Sequence, residues 1–136
     1  MIRLKLLVDP VPASRPRFVQ RGRYTATYYA GRYKEFLQDA GPVALAQALE
    51  EAGSLDMTLP IEEEVQVSIL FLVKKAKTSK LSTPKGDVDN YAKGALDLLQ
   101  AGGVLKDDKY VTKLLVEKQF TKTQPCLQIE IERAPS

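Results

Sequence analysis

A chain of 136 residues, 44% hydrophobic and 27% charged, has the length of one domain spanning residues 1–136 and the composition of a globular protein, so disordered and membrane-spanning classes are set aside. Histidine and tryptophan are absent and cysteine occurs once, at Cys126, which excludes Ser–His–Asp and Cys–His nucleophile systems, zinc sites built from His and Cys, and an internal disulfide. The lone cysteine, the lack of a signal-type apolar core after Arg3 and Lys5, and hydrophobic runs far short of the ~20 residues of a membrane helix predict a cytoplasmic protein without membrane contact.

In chain order, Ile2 to Val8 alternates apolar with Arg3 and Lys5 and predicts an opening strand, closed by Asp9-Pro10. The stretch from Arg15 to Lys34 carries Arg15, Arg17, Arg21, Arg23, Arg32 and Lys34 with no acidic residue, together with Phe18, Tyr24, Tyr28, Tyr29 and Tyr33. It reads as irregular. Arginines for phosphates interleaved with rings that stack on unpaired bases are what a nucleic-acid surface requires. Arg32 to Glu51 is helical in pattern, with Gly41-Pro42 expected to split or bend it. Glu50, Glu51, Asp56 and Glu62 to Glu64 form an acidic block expected to face away from any polyanion.

Val65 to Val73 alternates at period two, with Leu70 and Leu72 filling the second face, as in a strand buried on both sides at its end. Lys74, Lys75, Lys77, Lys80 and Lys85 then punctuate a Ser/Thr-rich flexible loop. Asp89 or Asn90 is expected to cap a helix reaching Gln100, with Ala92, Ala95, Leu96 and Leu99 as its stripe and Gly102-Gly103 as its stop. Tyr110 to Phe120 and Cys126 to Glu132 are expected to form a final strand pair, with Thr121 to Pro125 as the hairpin loop. The order β-α-β-α-β-β, without repeats or a phosphate-binding glycine loop, predicts an α+β domain with one small mixed β-sheet packed with helices.

The densest chemistry lies in Lys85-Gly86-Asp87-Val88-Asp89-Asn90-Tyr91-Ala92-Lys93. In an extended backbone Asp87 and Asp89 point to one face while Val88 anchors the other in the core. Two adjacent carboxylates repel unless a cation lies between them, and an all-oxygen ligand set favours Mg²⁺, or Mn²⁺ in its place. Lys93 and Asp97 follow at successive helical turns, and a lysine there can stabilise charge on a phosphate. Asp107-Asp108 lies about 20 residues downstream of the first pair, and a short intervening helix is expected to return it to them. The bland alternative makes these residues caps, a surface ion pair and loop; their concurrence beside two basic stretches favours a metal site.

Here the chain resembles the RusA family of Holliday-junction resolvases, endodeoxyribonucleases common in prophages. The resemblance rests on Asp87-Val88-Asp89-Asn90-Tyr91-Ala92-Lys93, then Asp97, then Asp107-Asp108-Lys109-Tyr110-Val111, with Pro12-Ala13-Ser14-Arg15-Pro16-Arg17 similar to the family's proline-basic opening. Gly86 departs from the pattern, standing where many relatives have proline and loosening the approach to Asp87. The resemblance implies a RusA-like fold, Asp87, Asp89 and Asp108 as metal-binding catalytic carboxylates, Lys93 as the essential basic residue beside them, and a homodimer matched to a two-fold symmetric four-way junction. Asp97 and Asp107 would orient neighbours, and Asn90 would cap or buttress.

The resulting expectation is a Mg²⁺-dependent endonuclease of branched DNA in recombination and repair, with Arg15, Arg17, Arg21, Arg23, Lys74, Lys75, Lys77 and Lys85 on the DNA. The rivals are a non-catalytic branched- or single-stranded-DNA-binding protein and a metal-dependent hydrolase of small nucleotides, which leaves the basic aromatic stretch without a task.

Overall fold

The computed structural model describes residues 1–14, 17–28 and 31–136, with only the backbone described at 17 and 26–28. Arg15, Tyr29 and their neighbours Pro16 and Ala30 lie outside the described residues. The fold is α+β, as expected, but its sheet is wired differently. Four strands, β1 (Ile2–Leu6), β4 (Val65–Lys74), β5 (Val111–Thr121) and β6 (Cys126–Arg133), stand in the order β1-β6-β4-β5. β6 runs antiparallel to both β1 and β4, whereas β5 runs parallel to β4.

The last two strands therefore do not form the expected hairpin. β4 lies between them, and residues 122–125 carry the chain across its end. The reason is in β4 itself, whose Val65, Val67, Ile69 and Phe71 are all at most 3% exposed. A strand this apolar is most stable with hydrogen-bonded neighbours on both sides, and β5 and β6, each with a polar outer face, occupy the two places.

A further difference lies in the arginine-rich stretch, where β2 (Arg17–Arg21) and β3 (Tyr24–Tyr28) pair antiparallel as a separate hairpin. Its two-residue turn begins at Gly22, with φ +61°, the left-handed geometry that a II′ turn demands at its first position. Without a strong apolar alternation this ribbon has no sequence signature beyond that glycine.

Helices cover one face of the main sheet. Residues 31–52 are a single bent helix: α1 (Gly31–Glu35), a π turn (Phe36–Ala40) and α2 (Gly41–Ala52). The Gly41 N–H bonds the Phe36 carbonyl, so the wide turn absorbs Pro42, whose ring would collide with the carbonyl four residues back in a regular helix. α3 (Val88–Ala101) provides the crossover between β4 and β5. The core joins Ile2, Leu4 and Leu6, Leu127, Ile129 and Ile131, and the buried residues of β4 to Phe36, Leu45, Leu98 and Leu99. On the other face Leu70 and Leu72 are only half-buried, beside a shallow depression of about 350 Å³ bounded by Ser68, Leu115, Glu117 and Glu130. Burial of β4 on both faces is therefore partial, because no helix among the described residues covers this side.

At Gly41 a Cβ would stand 2.2 Å from the Phe36 oxygen and 3.0 Å from a Leu98 methyl. Gly41→Ala gains about 1 kcal/mol of helix propensity and loses about 2–3 to overpacking. The expected result is a net destabilisation of about 1–2 kcal/mol in chemical denaturation, with unchanged m.

Candidate active site

α3 starts where β4 has ended and a loop of 13 residues (75–87) has crossed the sheet end. Asp87 occupies the N-cap position with an extended backbone (φ −68°, ψ 142°), without a side-chain cap bond, and Asp89 is already in the first helical turn. The premise of a shared extended face thus fails, since the helix begins at Val88, with Asp87 as its cap in place of the expected Asp89 or Asn90. Val88 does not anchor the segment either, being 37% exposed. What holds the helix start is Tyr91, which is buried, its ring tilted by 39° against Phe71 of β4 with centroids 5.4 Å apart. Burial, and secondarily the charge of Asp9, raises the Tyr91 hydroxyl above its ordinary pKa, partly opposed by Arg32.

The proline-basic opening lies against this helix. The Ala13 N–H donates to the Asn90 carbonyl at 2.9 Å, and Val11 approaches so closely that a Cβ on Gly94 would stand 3.0 Å from its oxygen. Asn90 therefore buttresses the neighbouring proline-basic segment through its backbone.

Lys93 and Asp97 form an i,i+4 ion pair at 3.5 Å, the arrangement that the bland alternative assigns them. Asp97 also accepts a 2.5 Å hydrogen bond from the Tyr33 hydroxyl of α1. Tyr33, counted above among rings for stacking on bases, is 2% exposed and belongs to the core. It fixes Asp97, and Asp97 in turn restrains Lys93, which remains exposed.

Asp107 caps the 3₁₀ turn Asp108–Tyr110, accepting from the Lys109 N–H at 2.9 Å. The Asp108 N–H donates to the Gln100 side chain at 3.2 Å, which places Asp108 at the C-terminal end of α3. Asp89 lies eleven positions before Gln100, about 16 Å along the helix axis at ~1.5 Å per residue. The intervening helix sets the two acidic pairs toward its opposite ends, while Asp89 and Asp108 still face one groove. Asp89, Lys93 and Asp108 line one groove of about 320 Å³ between α3 and β5, with Leu96, Leu114 and Val116, whereas Asp87 opens onto a neighbouring cleft of about 640 Å³ with Arg32, Lys74, Lys85, Tyr91 and Phe120. Among the described residues no three acidic side chains gather closely enough to hold one metal ion. None of Asp87, Asp89 and Asp108 forms an ion pair or has its carboxylate hydrogen-bonded there. Their donor chemistry, hard carboxylate oxygen, suits Mg²⁺.

Of the basic residues expected on DNA, Arg21 and Arg23 are exposed at the tip of the β2–β3 hairpin, beside Tyr24 (68% exposed) and near Phe18 (70%). Arg17 contributes to β2, and Arg15 is outside the described residues. Lys74, Lys75 and Lys77 line a groove with Lys122, and Lys75 sits 5.5 Å over the Phe120 ring. Lys85 borders the Asp87 cleft. In the acidic block, Asp56 pairs with the terminal amine of Met1 at 2.7 Å and Glu63 with Arg133 at 2.8 Å; the hydrogen bond from that amine lowers the Asp56 pKa.

Sequence patterns do not single out Lys122 or Lys118. Lys122 follows the β5 strand and joins the lysine loop only because β5 ends beside β4. Lys118 projects from β5 on the helix side, in register with Phe71, and its ammonium donates to the carbonyls of Pro84 and Gly86, both at 2.7 Å.

Unpaired carboxylates and a lysine at a helix start, flanked by cationic grooves and no histidine, are the equipment of a hydrolase acting on phosphate esters. The model of the endodeoxyribonuclease RusA family matches residues 8–132 of the 136-residue chain, and the chain belongs to that family. No individual curated protein sequence matches it. No helix among the described residues is long and apolar enough to cross a membrane.

Tyr33→Phe is expected to cost about 1–2 kcal/mol of stability through the lost charge-assisted bond and to slow DNA cleavage about 3–10-fold by loosening Lys93. Denaturation together with single-turnover cleavage checks both effects.

Proposed function

We infer that this protein is a Mg²⁺-dependent endonuclease that binds branched DNA, four-way junctions in particular, and resolves it by paired phosphodiester hydrolysis. The carrying observation is the set of unpaired carboxylates Asp87, Asp89 and Asp108 with Lys93 in a chain of the RusA family. Asp87 and Asp89, together with an Asp108, would hold the metal, which would supply polarisation of the phosphodiester and a more acidic water. Lys93, restrained by Asp97, neutralises charge building on the phosphate oxygens. The hairpin tip, the lysine groove and Lys85 carry the DNA backbone toward it.

The separation of Asp89 from Asp108 supports a homodimer with sites shared between copies. β5 is an edge strand of 11 residues carrying the exposed Leu114 and Leu115, an arrangement that monomers usually protect. Its start adjoins Asp108, and Lys118 near its other end lies beside Asp87. Antiparallel pairing of β5 with a second β5 sets the start of each strand against the end of the other. Asp108 of one copy then faces the helix start of its partner. The same two-fold axis presents two sites to a two-fold symmetric junction.

Asp89→Asn and Asp108→Asn are each expected to abolish cutting of a synthetic four-way junction in Mg²⁺ while retaining binding. Mixing the two inactive proteins restores one intact site per heterodimer, and with it nicking of a single strand, if the sites are shared; sites within one chain leave the mixture inactive. Binding without cutting by the unmodified protein, insensitive to metal, would instead identify a DNA-binding module. Leu115→Lys is expected to shift the protein to monomer in sedimentation and to abolish cutting.

A further inference from the structure

Gly86 precedes Asp87 without the restriction that proline would impose, yet the segment is held on every side. A Cβ on Gly86 would stand 2.8 Å from the Tyr91 ring and 2.9 Å from Pro12, Pro84 is buried, and the Tyr91 N–H donates to the Asp87 carbonyl at 3.1 Å. Into this segment β5 sends the half-buried Lys118, whose Nζ takes the carbonyls on both sides of Lys85. One ammonium thereby bridges two peptide groups, the second of them joined directly to Asp87.

We propose that Lys118 is a positioning residue for Asp87: it replaces, by a tether from β5, the stiffness that the Gly86 position does not supply, and it presets the backbone from which the Asp87 carboxylate meets the metal. The proposal rests on Asp87 being a metal ligand. A lysine suits the task because its three donors radiate from one point and its long stem packs along the sheet beneath α3. A surface lysine would gain little from such bonds, but a half-buried ammonium left without them would be costly, so the tether is held in the folded state. It also brings a positive charge close to the carboxylate without forming an ion pair that a metal would have to break. β5 thus bears on both acidic pairs, since its start adjoins Asp108 and its far half holds Asp87 in place.

The test compares Lys118→Met, of similar length without charge or donors, and Lys118→Arg with the unmodified protein. Lys118→Met is expected to raise the Mg²⁺ concentration giving half-maximal cleavage about 10–100-fold, the range found for groups that orient metal ligands, while kcat at saturating Mg²⁺ and metal-free junction affinity stay within about threefold. Mn²⁺ titration of the protein alone should show the same weakening, and amide exchange at 85–87 should accelerate. Lys118→Arg, which keeps charge and donors, should recover most of the metal affinity. An unchanged metal midpoint with unchanged exchange at 85–87 overturns the proposal, as does a loss confined to junction binding, which would make Lys118 a DNA contact. In the unmodified protein the ¹⁵Nζ resonance of Lys118 decides the matter without a substitution. A tethered ammonium exchanges its protons slowly and shifts when Mg²⁺ is added, and one exchanging like surface lysines overturns the proposal even where the Met variant fails to fold. If the unmodified protein binds no Mn²⁺ and cuts nothing, the failure lies with Asp87 as a ligand, and slow exchange at Lys118 would still report the tether.

Discussion

Parallel pairing of β4 with β5 governs everything else in this molecule. Two parallel strands cannot be joined by a tight turn; the chain must return the full length of the sheet before it can run forward again, and a helix is the economical way to do so. α3 is that return path. Its start therefore stands at the end of β4 and its finish at the beginning of β5, and any residues flanking the two ends of the crossover are held a helix length apart. Asp87 and Asp89 flank one end, and Asp107 and Asp108 the other.

Much of this was legible in the residues. The α+β class, the front strand, the apolar run of β4, the α3 stripe and its glycine stop all follow from periodicity and turn chemistry, and the concentration of carboxylates next to Lys93 is visible without coordinates. Strand order was not. Whether Cys126–Arg133 pairs with the strand before it or with β4 depends on which edges are most apolar across the whole sheet, a comparison between distant segments that local alternation does not contain. The same limit hid the distance between the acidic pairs. Spacing in sequence suggested a return, but only the direction of β5 relative to β4 decides where a helix delivers the chain.

Side chains with mixed chemistry were the other source of misreading. Tyr33 sits among arginines and other tyrosines, a context that suggests a surface for bases, but its ring is core and its hydroxyl donates to Asp97. Lys118 has the opposite history: one lysine in an alternating strand, indistinguishable from a solvated residue until β5 is placed beside the loop entering α3. Val88 fails as an anchor because helix formation at that residue turns it outward, and Tyr91, one turn later, takes over the burial.

The distance between the two ends of α3 also bears on when the protein can act. If each site draws on both ends of α3 from different copies, a lone chain on DNA carries two incomplete halves and no complete centre. The reaction rate would then rise with the square of protein concentration while dimers are scarce, and a junction that gathers two copies would be at once the substrate and the scaffold on which the enzyme is assembled. A backbone topology would thus serve as a safeguard against stray nicking, independent of any inhibitor or modification.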